Sequence, residues 1–407
     1  MSPIVNFFRK PVFSDKRFLL FVWTLIPVIG ALKASRIHNN YKIFSGSFYH
    51  ALEQINLYAP YPAEHHDKFY YGPVFTFIVA PFALLPDRLG ILLWDVAMSL
   101  TLFFAVYYLP IAWKRKYLFF YIIGVDLYTC VMNSQTNGLI AALVIGSFIC
   151  IRKEKDFWAA CLIMLGTFIK LYGIVGLSLF FFSKHKGKLT LYMGIWAAIF
   201  FTLPMLISSP EFVIQSYGDW FQTLSAKNVI NITNFSQDIS AIGLIRRCFN
   251  ILDAPAFYII VPGLVLFGLQ YIKVRCYDDL AYQFGILASA LFFIVLFSTG
   301  SEKETYIIAM TALAFWYSLQ KYPKNKWITG LLVFTLFWTL ITSSHIFPKS
   351  IHDDIFKRYS LKAIPSLAVW LILVYQIITS RGILKEFPQE EYTDEEKKTL
   401  SIHPHKQ

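Results

Sequence analysis

Residues 136–188 read TNGLIAALVIGSFICIRKEKDFWAACLIMLGTFIKLYGIVGLSLFFFSKHKGK. Three apolar runs, 136–151, 157–171 and 172–183, follow one another with only short basic punctuation. Arg152, Lys153 and Lys155 close the first, and Lys184, Lys186 and Lys188 close the third. Runs of this length separated by small positive clusters are the pattern of membrane-crossing helices joined by loops that stay on the cytoplasmic side. The same alternation continues outward, with runs at roughly 18–34, 89–111, 117–131, 189–207, 256–272, 280–298, 305–321, 327–345 and 363–380. The expectation is an all-α polytopic bundle of about twelve spans.

Composition agrees with that class. The 407 residues are 56% hydrophobic and only 15% charged, against about 25% charged in a typical soluble domain. Mean hydropathy is +0.52. Aromatics make up 18%, which suits lipid-facing helices and interfacial belts. A net charge of +12 is spread over short clusters between the runs, which argues against nucleic-acid binding. Cys130, Cys150, Cys161, Cys248 and Cys276 are scattered with no C-x-x-C pair, so neither a disulfide framework nor a zinc site is indicated. Phe18–Leu32 follows four basic residues but no A-x-A-like cleavage site, and reads as an uncleaved first span.

Three regions follow: a cytoplasmic tail at 1–17, a membrane domain at 18–380, and a charged cytoplasmic tail at 381–407 that reads as disordered. Placing every basic cluster inside requires Pro73–Pro86 to be re-entrant, since 14 residues rise only about 21 Å as a helix. External segments then fall at 35–72, 208–255, 299–305 and 346–362. The last carries Lys349, Lys357, Arg358 and Lys362, against the charge rule, and a slip of one crossing in the count is its simplest explanation. There is no internal repeat of the kind found in transporters with inverted halves.

The first external segment, RIHNNYKIFSGSFYHALEQINLYAPYPAEHHDKFYYGPVF (36–75), is the most informative for function. Tyr41, Phe44, Phe48 and Leu52 fall at helical steps, suggesting a short helix on the membrane surface. Glu64, His65, His66 and Asp67 follow just before the chain dips inward. They are ordinary solvated loop residues or the polar end of a site for an amphipathic substrate. Adjacent histidines point apart and lack the H-E-x-x-H spacing, so no metal site is assigned. Asn133–Asn137 and Lys170 interrupt apolar runs, where polar groups imply a wet cavity or burial in the bundle. Lys170 either snorkels to the interface or serves as a point charge for phosphate. Glu302 and Glu304 stand at a helix start, where capping is the plain alternative. Residues 238–250 are amphipathic, with Arg246 and Arg247 poised for anionic headgroups or for capping the bundle.

Taken in order, these motifs resemble glycosyltransferase family 87. They are N-N-Y-x-I-F (39–44), N-L-Y…Y-P (56–62), F-Y-Y-G-P-V-F-T-F-I-V-A-P-F-A-L-L-P (69–86), Leu89-Gly90 and Trp94. Gln135-x-Asn137-Gly138, the I-K-L-Y of 169–172 and E-K-E-T-Y-I-I-A (302–309) look like the branch found in Bacteroidetes-type bacteria. The resemblance runs from about residue 18 to 380. It implies a GT-C-like architecture and inverting transfer of a mannose-like hexose from a polyprenyl-phosphate donor. The acceptor would be a glycan or glycolipid on the periplasmic face of a bacterial inner membrane, with no nucleotide cofactor.

The family leads one to expect an acidic residue close to the first span, where this chain has His38-Asn39-Asn40-Tyr41. If the chemistry the resemblance implies is kept, the general base comes from Asp67 or Glu64 or from Glu302 or Glu304. Asp67 and Glu64 are favoured because they immediately precede the re-entry, and Lys170 is the phosphate ligand. Asn39, Asn40, Gln135 and Asn137 become polar contacts to sugar or acceptor, with Tyr41, Tyr71, Tyr172, Arg246, Glu302 and Glu304 as further substrate contacts. A glycolipid flippase, or a relative that has lost catalysis, are the other readings.

Overall fold

A computed structural model describes residues 10–33, 39–321, 324–343 and 347–399. The first nine residues of the expected N-terminal tail, residues 35–38 and 346 of the expected external segments, and 400–407 of the C-terminal tail lie outside the described residues. The architecture is all-helical. No strand occurs among the described residues beyond an isolated bridge between Gln320 and Ile383.

Helices α1 (Lys16–Lys33), α2 (Asn39–Glu53), α3 (Val74–Ala83), α4 (Asp87–Tyr107), α5 (Trp113–Val131), α6 (Asn137–Arg152) and α7 (Asp156–Ile169) lead to a 3-10 helix at Leu171–Phe182. They are followed by α8 (Lys186–Thr202), α9 (Pro210–Thr233), α10 (Ala241–Cys248), α11 (Phe257–Leu269), α12 (Leu280–Leu296), α13 (Tyr306–Ser318), α14 (Lys326–Ser343) and α15 (Ala363–Thr379). Every apolar run of the sequence falls on one of these helices. Among the described residues, Asp87–Tyr107, Lys186–Leu206 and Lys326–Ser343 are by length and composition able to cross a membrane, and α3, α6, α7, the 3-10 helix, α11, α12 and α15 are shorter apolar helices.

The shorter helices have physical reasons to be short. α12 and α13 are buried on nearly every side. Surrounded by protein, such a helix need not match the lipid thickness. The 12-residue Leu171–Phe182 segment gains reach from its geometry, since about 2.0 Å per residue covers ~24 Å. It lies against α7 backbone to backbone. A Cβ at Gly173 would come within 2.1 Å of the Gly166 carbonyl carbon. The outer helices show the opposite pattern, with Leu191, Ile195 and Ile199 of α8 and Val261 and Leu264 of α11 exposed. Such an outward apolar stripe fits a lipid surround.

α3, the expected re-entrant segment, has ten residues and rises about 15 Å, half the hydrocarbon thickness. Its C-terminal carbonyls are capped from α2: Tyr41 Oη donates to Phe82 O at 3.0 Å and Tyr49 Oη to Ala83 O at 2.8 Å. Gly90 makes room for this, because a Cβ there would sit 2.0 Å from Tyr41 Oη. The apolar face of α2 is thereby turned inward: Tyr41, Phe44 and Phe48 are buried, while Leu52 is exposed. The stripe expected to lie on the membrane surface is spent on protein packing.

Two further expectations change. Residues 381–399 are ordered against the bundle. Leu384 N donates to Leu319 O, and Phe387 and Tyr392 are buried. Glu391 pairs with the buried Arg115, and Glu396 accepts from Trp113 N at 2.7 Å. Part of the apparent excess of positive charge in 346–362 is taken up within the protein: Lys362 is internal, Lys357 is paired at the surface, and Arg358 stays exposed. Lys357 pairs with Asp353 at 2.8 Å. Lys362 is buried, its Nζ 3.4 Å from Asp126 and donating to Lys303 O and Ser343 Oγ. A loop charge that is neutralised inside the protein carries no topological signal.

Candidate active site

The segment Tyr70-Tyr71-Gly72 leaves the first external loop and runs along the end of α7. It is fastened by Gly72 N to Ile169 O (3.1 Å), Tyr58 Oη to Tyr71 O (2.9 Å) and Trp220 Nε1 to Tyr70 O (3.0 Å). Only glycine fits at 72, where a Cβ would approach Phe168 O to 2.0 Å. This contact brings Tyr71 beside the break between α7 and the 3-10 helix. At that break Lys170 is in extended conformation. Its Nζ donates to Asn137 Oδ1 at 3.1 Å and lies 4.6 Å from the Tyr172 ring and 5.8 Å from that of Tyr71.

The acidic loop closes the opposite side. Asp238 N and Ile239 N donate to Thr299 O and Ser301 O, and Lys362 holds Lys303 O. Glu302 caps the turn at Lys303–Thr305, accepts from Gln237 Nε2 at 2.7 Å and stands 3.9 Å from Lys227 Nζ. Burial, and then the neighbouring Glu302, raise the pKa of Glu304 above the usual carboxylate range. Lys227 lies 3.5 Å from the centre of the Tyr70 ring, and Tyr70 Oη donates to Asp67 Oδ1 at 3.1 Å. Burial and the Asp67 charge keep the Tyr70 phenol protonated.

These groups enclose a cavity of about 670 Å³. Its lining holds Asp67, Gln135, Lys170, Lys227, Glu302 and Glu304 together with Ile174, Val175, Ile260, Phe293 and Phe297. Gln237 also lines it, with an Oε1 that is buried and unpaired among the described residues. The cavity is thus amphipathic, and its apolar wall continues onto the exposed face of α11. Phosphoryl oxygens suit the lysines, sugar hydroxyls suit the amides and carboxylates, and a hydrocarbon chain suits the apolar side chains.

Residues 69–299 match the profile of Glycosyltransferase family 87. The chain belongs to glycosyltransferase family 87. It is accordingly a membrane glycosyltransferase. No curated protein matches the chain. The family match takes in Tyr70, Tyr71, Lys170 and Lys227, whereas α2, Asp67 and the two glutamates lie outside its bounds.

Of the residues singled out in the sequence, Asn40, Asp67, Tyr71, Gln135, Lys170, Tyr172, Glu302 and Glu304 line this family 87 cavity. Asn137 reaches it through Lys170. Asn39 accepts from His66 N instead, and Tyr41 is committed to α3. Glu64 is turned away and pairs with His50 at 3.1 Å. Arg246 does not line the cavity. Its guanidinium is buried against Ala254 O and Asp238, while Arg247 holds Ser360, Gln237 and Asn234. Both arginines brace α10, because an amphipathic pattern fixes which face is polar and not whether that face meets water.

The sequence reading missed the contribution of α9. Trp220, Leu224, Lys227 and Asn231 all line the cavity. Their steps of four, three and four put them on one helical face. That spacing was readable, but it mixes apolar and polar residues and so escapes a search for amphipathicity.

Proposed function

We propose that the protein transfers a mannose-like hexose from a polyprenyl-phosphate-linked donor to a glycan or glycolipid acceptor. The reaction would take place on the periplasmic face of a bacterial inner membrane, as a step in envelope glycan assembly. The observation that carries this reading is the single cavity in which Lys170 and Lys227, three carboxylates and an apolar wall meet. A nucleotide sugar has no use for that wall, whereas a polyprenyl chain fills it.

In this reading Asp67 is the general base. It takes the proton of the acceptor hydroxyl as that oxygen bonds to the anomeric carbon from the face opposite the phosphate. The bond from the anomeric carbon to the phosphate oxygen breaks, and its electron pair leaves with polyprenyl phosphate. Lys170 stabilises the departing charge, and the configuration inverts. Glu302, Gln237 and Gln135 hold sugar hydroxyls. Glu64, bonded to His50 and away from the cavity, has no part in the step.

The test is transfer in nanodiscs from polyprenyl-phosphate-[14C]mannose, with the product anomer assigned by NMR. Transfer from a nucleotide sugar alone, or retention of configuration, would defeat the proposal.

A further inference from the structure

A second cleft of about 460 Å³ lies beside the first. Asp67, Lys68, Tyr70 and Lys227 line both, so they form the partition between them. The remaining walls differ in kind. Tyr61, His65, Gln222 and Thr223 bring neutral hydrogen-bonding groups to the second cleft, and Pro60 and Pro62 bring flat apolar faces. The phenylalanine, isoleucine and valine wall of the first cavity has no counterpart here beyond Ile230.

His65 adds an imidazole to the hydrogen-bonding wall of this cleft. The residue is 5% exposed and its ring borders the cleft, with the Asp67 backbone beside it. A ligand hydroxyl in the cleft would meet this imidazole as a hydrogen-bonding wall. Burial holds the imidazole below its usual pKa, so His65 meets such a hydroxyl as a neutral group. Of the two lysines on the partition, Lys227 is already engaged with the Tyr70 ring and Glu302 and Lys68 is exposed to solvent, so no buried cation waits in the cleft for an acidic ligand.

We propose that this second cleft is the acceptor subsite, and that it takes a neutral carbohydrate chain rather than a lipid tail. The inference rests on the transfer reaction proposed above. It places the acceptor hydroxyl on the far side of Asp67 from the donor, with the carboxylate in reach of both. Hydroxyls of the sugar meet His65, Gln222 and Thr223, and its C–H face covers Tyr61 and the prolines.

Ala226 offers a clean test. It is exposed on α9 and, of the two clefts, lines only the second. Full-length protein in nanodiscs is probed with two neutral disaccharides, mannobiose and cellobiose, by saturation-transfer NMR, and with polyprenyl phosphate by thermal shift. At least one disaccharide is expected to bind the wild type. Ala226→Trp should weaken that binding at least tenfold and leave the polyprenyl phosphate shift unchanged, and His65→Leu should act in the same direction. The proposal is overturned if neither disaccharide binds, if Ala226→Trp binds as well as wild type, or if that variant loses the polyprenyl phosphate shift too. Failure of the donor reading alone looks different: no shift with polyprenyl phosphate and no transfer, but disaccharide binding that Ala226→Trp abolishes.

Discussion

Lys170 carries one observed role, its bond to Asn137, and one proposed role, at the donor phosphate, and substitutions can separate them. Its ammonium donates to Asn137 Oδ1, and among the described residues no carboxylate lies within ion-pair distance of it. Its charge is therefore unspent within the protein and available to a phosphate. A hydrogen bond to a charged group contributes about 1.5–3 kcal/mol. Losing it from the bound and departing phosphate should lower kcat/KM for the donor roughly 10- to 150-fold, at about 1.4 kcal/mol per factor of ten. Lys170→Gln keeps a donor for Asn137 and removes only the charge. Lys170→Met removes both and strands the Asn137 carbonyl oxygen, at a further cost of about 1–3 kcal/mol in stability. The two variants should show a similar fall in kcat/KM, measured by radiolabelled transfer from polyprenyl-phosphate-mannose, while only Lys170→Met melts earlier. A Lys170→Gln enzyme within threefold of wild-type kcat/KM would refute the assignment of Lys170 to the phosphate.

The base assignment predicts that Asp67→Asn lowers kcat by about 10²–10⁴ with donor binding intact, whereas Glu64→Gln stays within threefold of wild type in the same assay. Gly72→Ala should destabilise the protein by about 1–3 kcal/mol, as overpacking does, because the new Cβ meets the Phe168 carbonyl at 2.0 Å; thermal unfolding in detergent reads this directly. Asp238 gives a pH signature. Burial, opposed by Ser240, Arg247 and Arg246, pushes its pKa up from 3.8 to about 6. Between these values the folded state keeps a proton that the unfolded state releases, so stability is fully present below about pH 3.8 and falls as pH rises through about 6. Asp238→Asn preserves both the acceptor for Ser240 and the tolerance for positive φ. Its melting temperature should change less than that of wild type between pH 4 and pH 6.5, and parallel curves would refute the assignment.

The parts of the fold legible in the sequence are those set by solvent preference alone. Apolar runs became helices because a backbone away from water must satisfy itself. The run boundaries held within a few residues even where the helix was 3-10. The sequence motifs also had structural reasons. Gly90 admits Tyr41 to the carbonyl of Phe82, and Trp94 Nε1 donates to Ser134 O at 3.1 Å, fixing the turn that carries Gln135 and Asn137. What composition could not reveal was direction. Arg246, Lys362 and Glu391 look like loop charges, and each is pointed inward at a partner far away in sequence or across a turn. Glu64 and Asp67 are three positions apart in one loop, yet one faces His50 and the other the cavity.

Asn40, the position where an acid was expected, illustrates how a partner decides a residue type. Its Nδ2 donates to the Asn133 carbonyl at 2.8 Å, tying α2 to the turn between α5 and α6 at the rim of the cavity. An ionised carboxylate has no proton to donate there and would face that carbonyl oxygen as a second acceptor. The asparagine is thus a structural tie, and Asn39 next to it makes a second one to His66. Because Asn39 draws the backbone of His66 toward α2, it also fixes the residue preceding Asp67. The base proposed at Asp67 and the amides at 39 and 40 then belong to one arrangement. A carboxylate introduced by Asn40→Asp would break the tie to Asn133, and with the base proposed at Asp67 it would bring no gain in transfer.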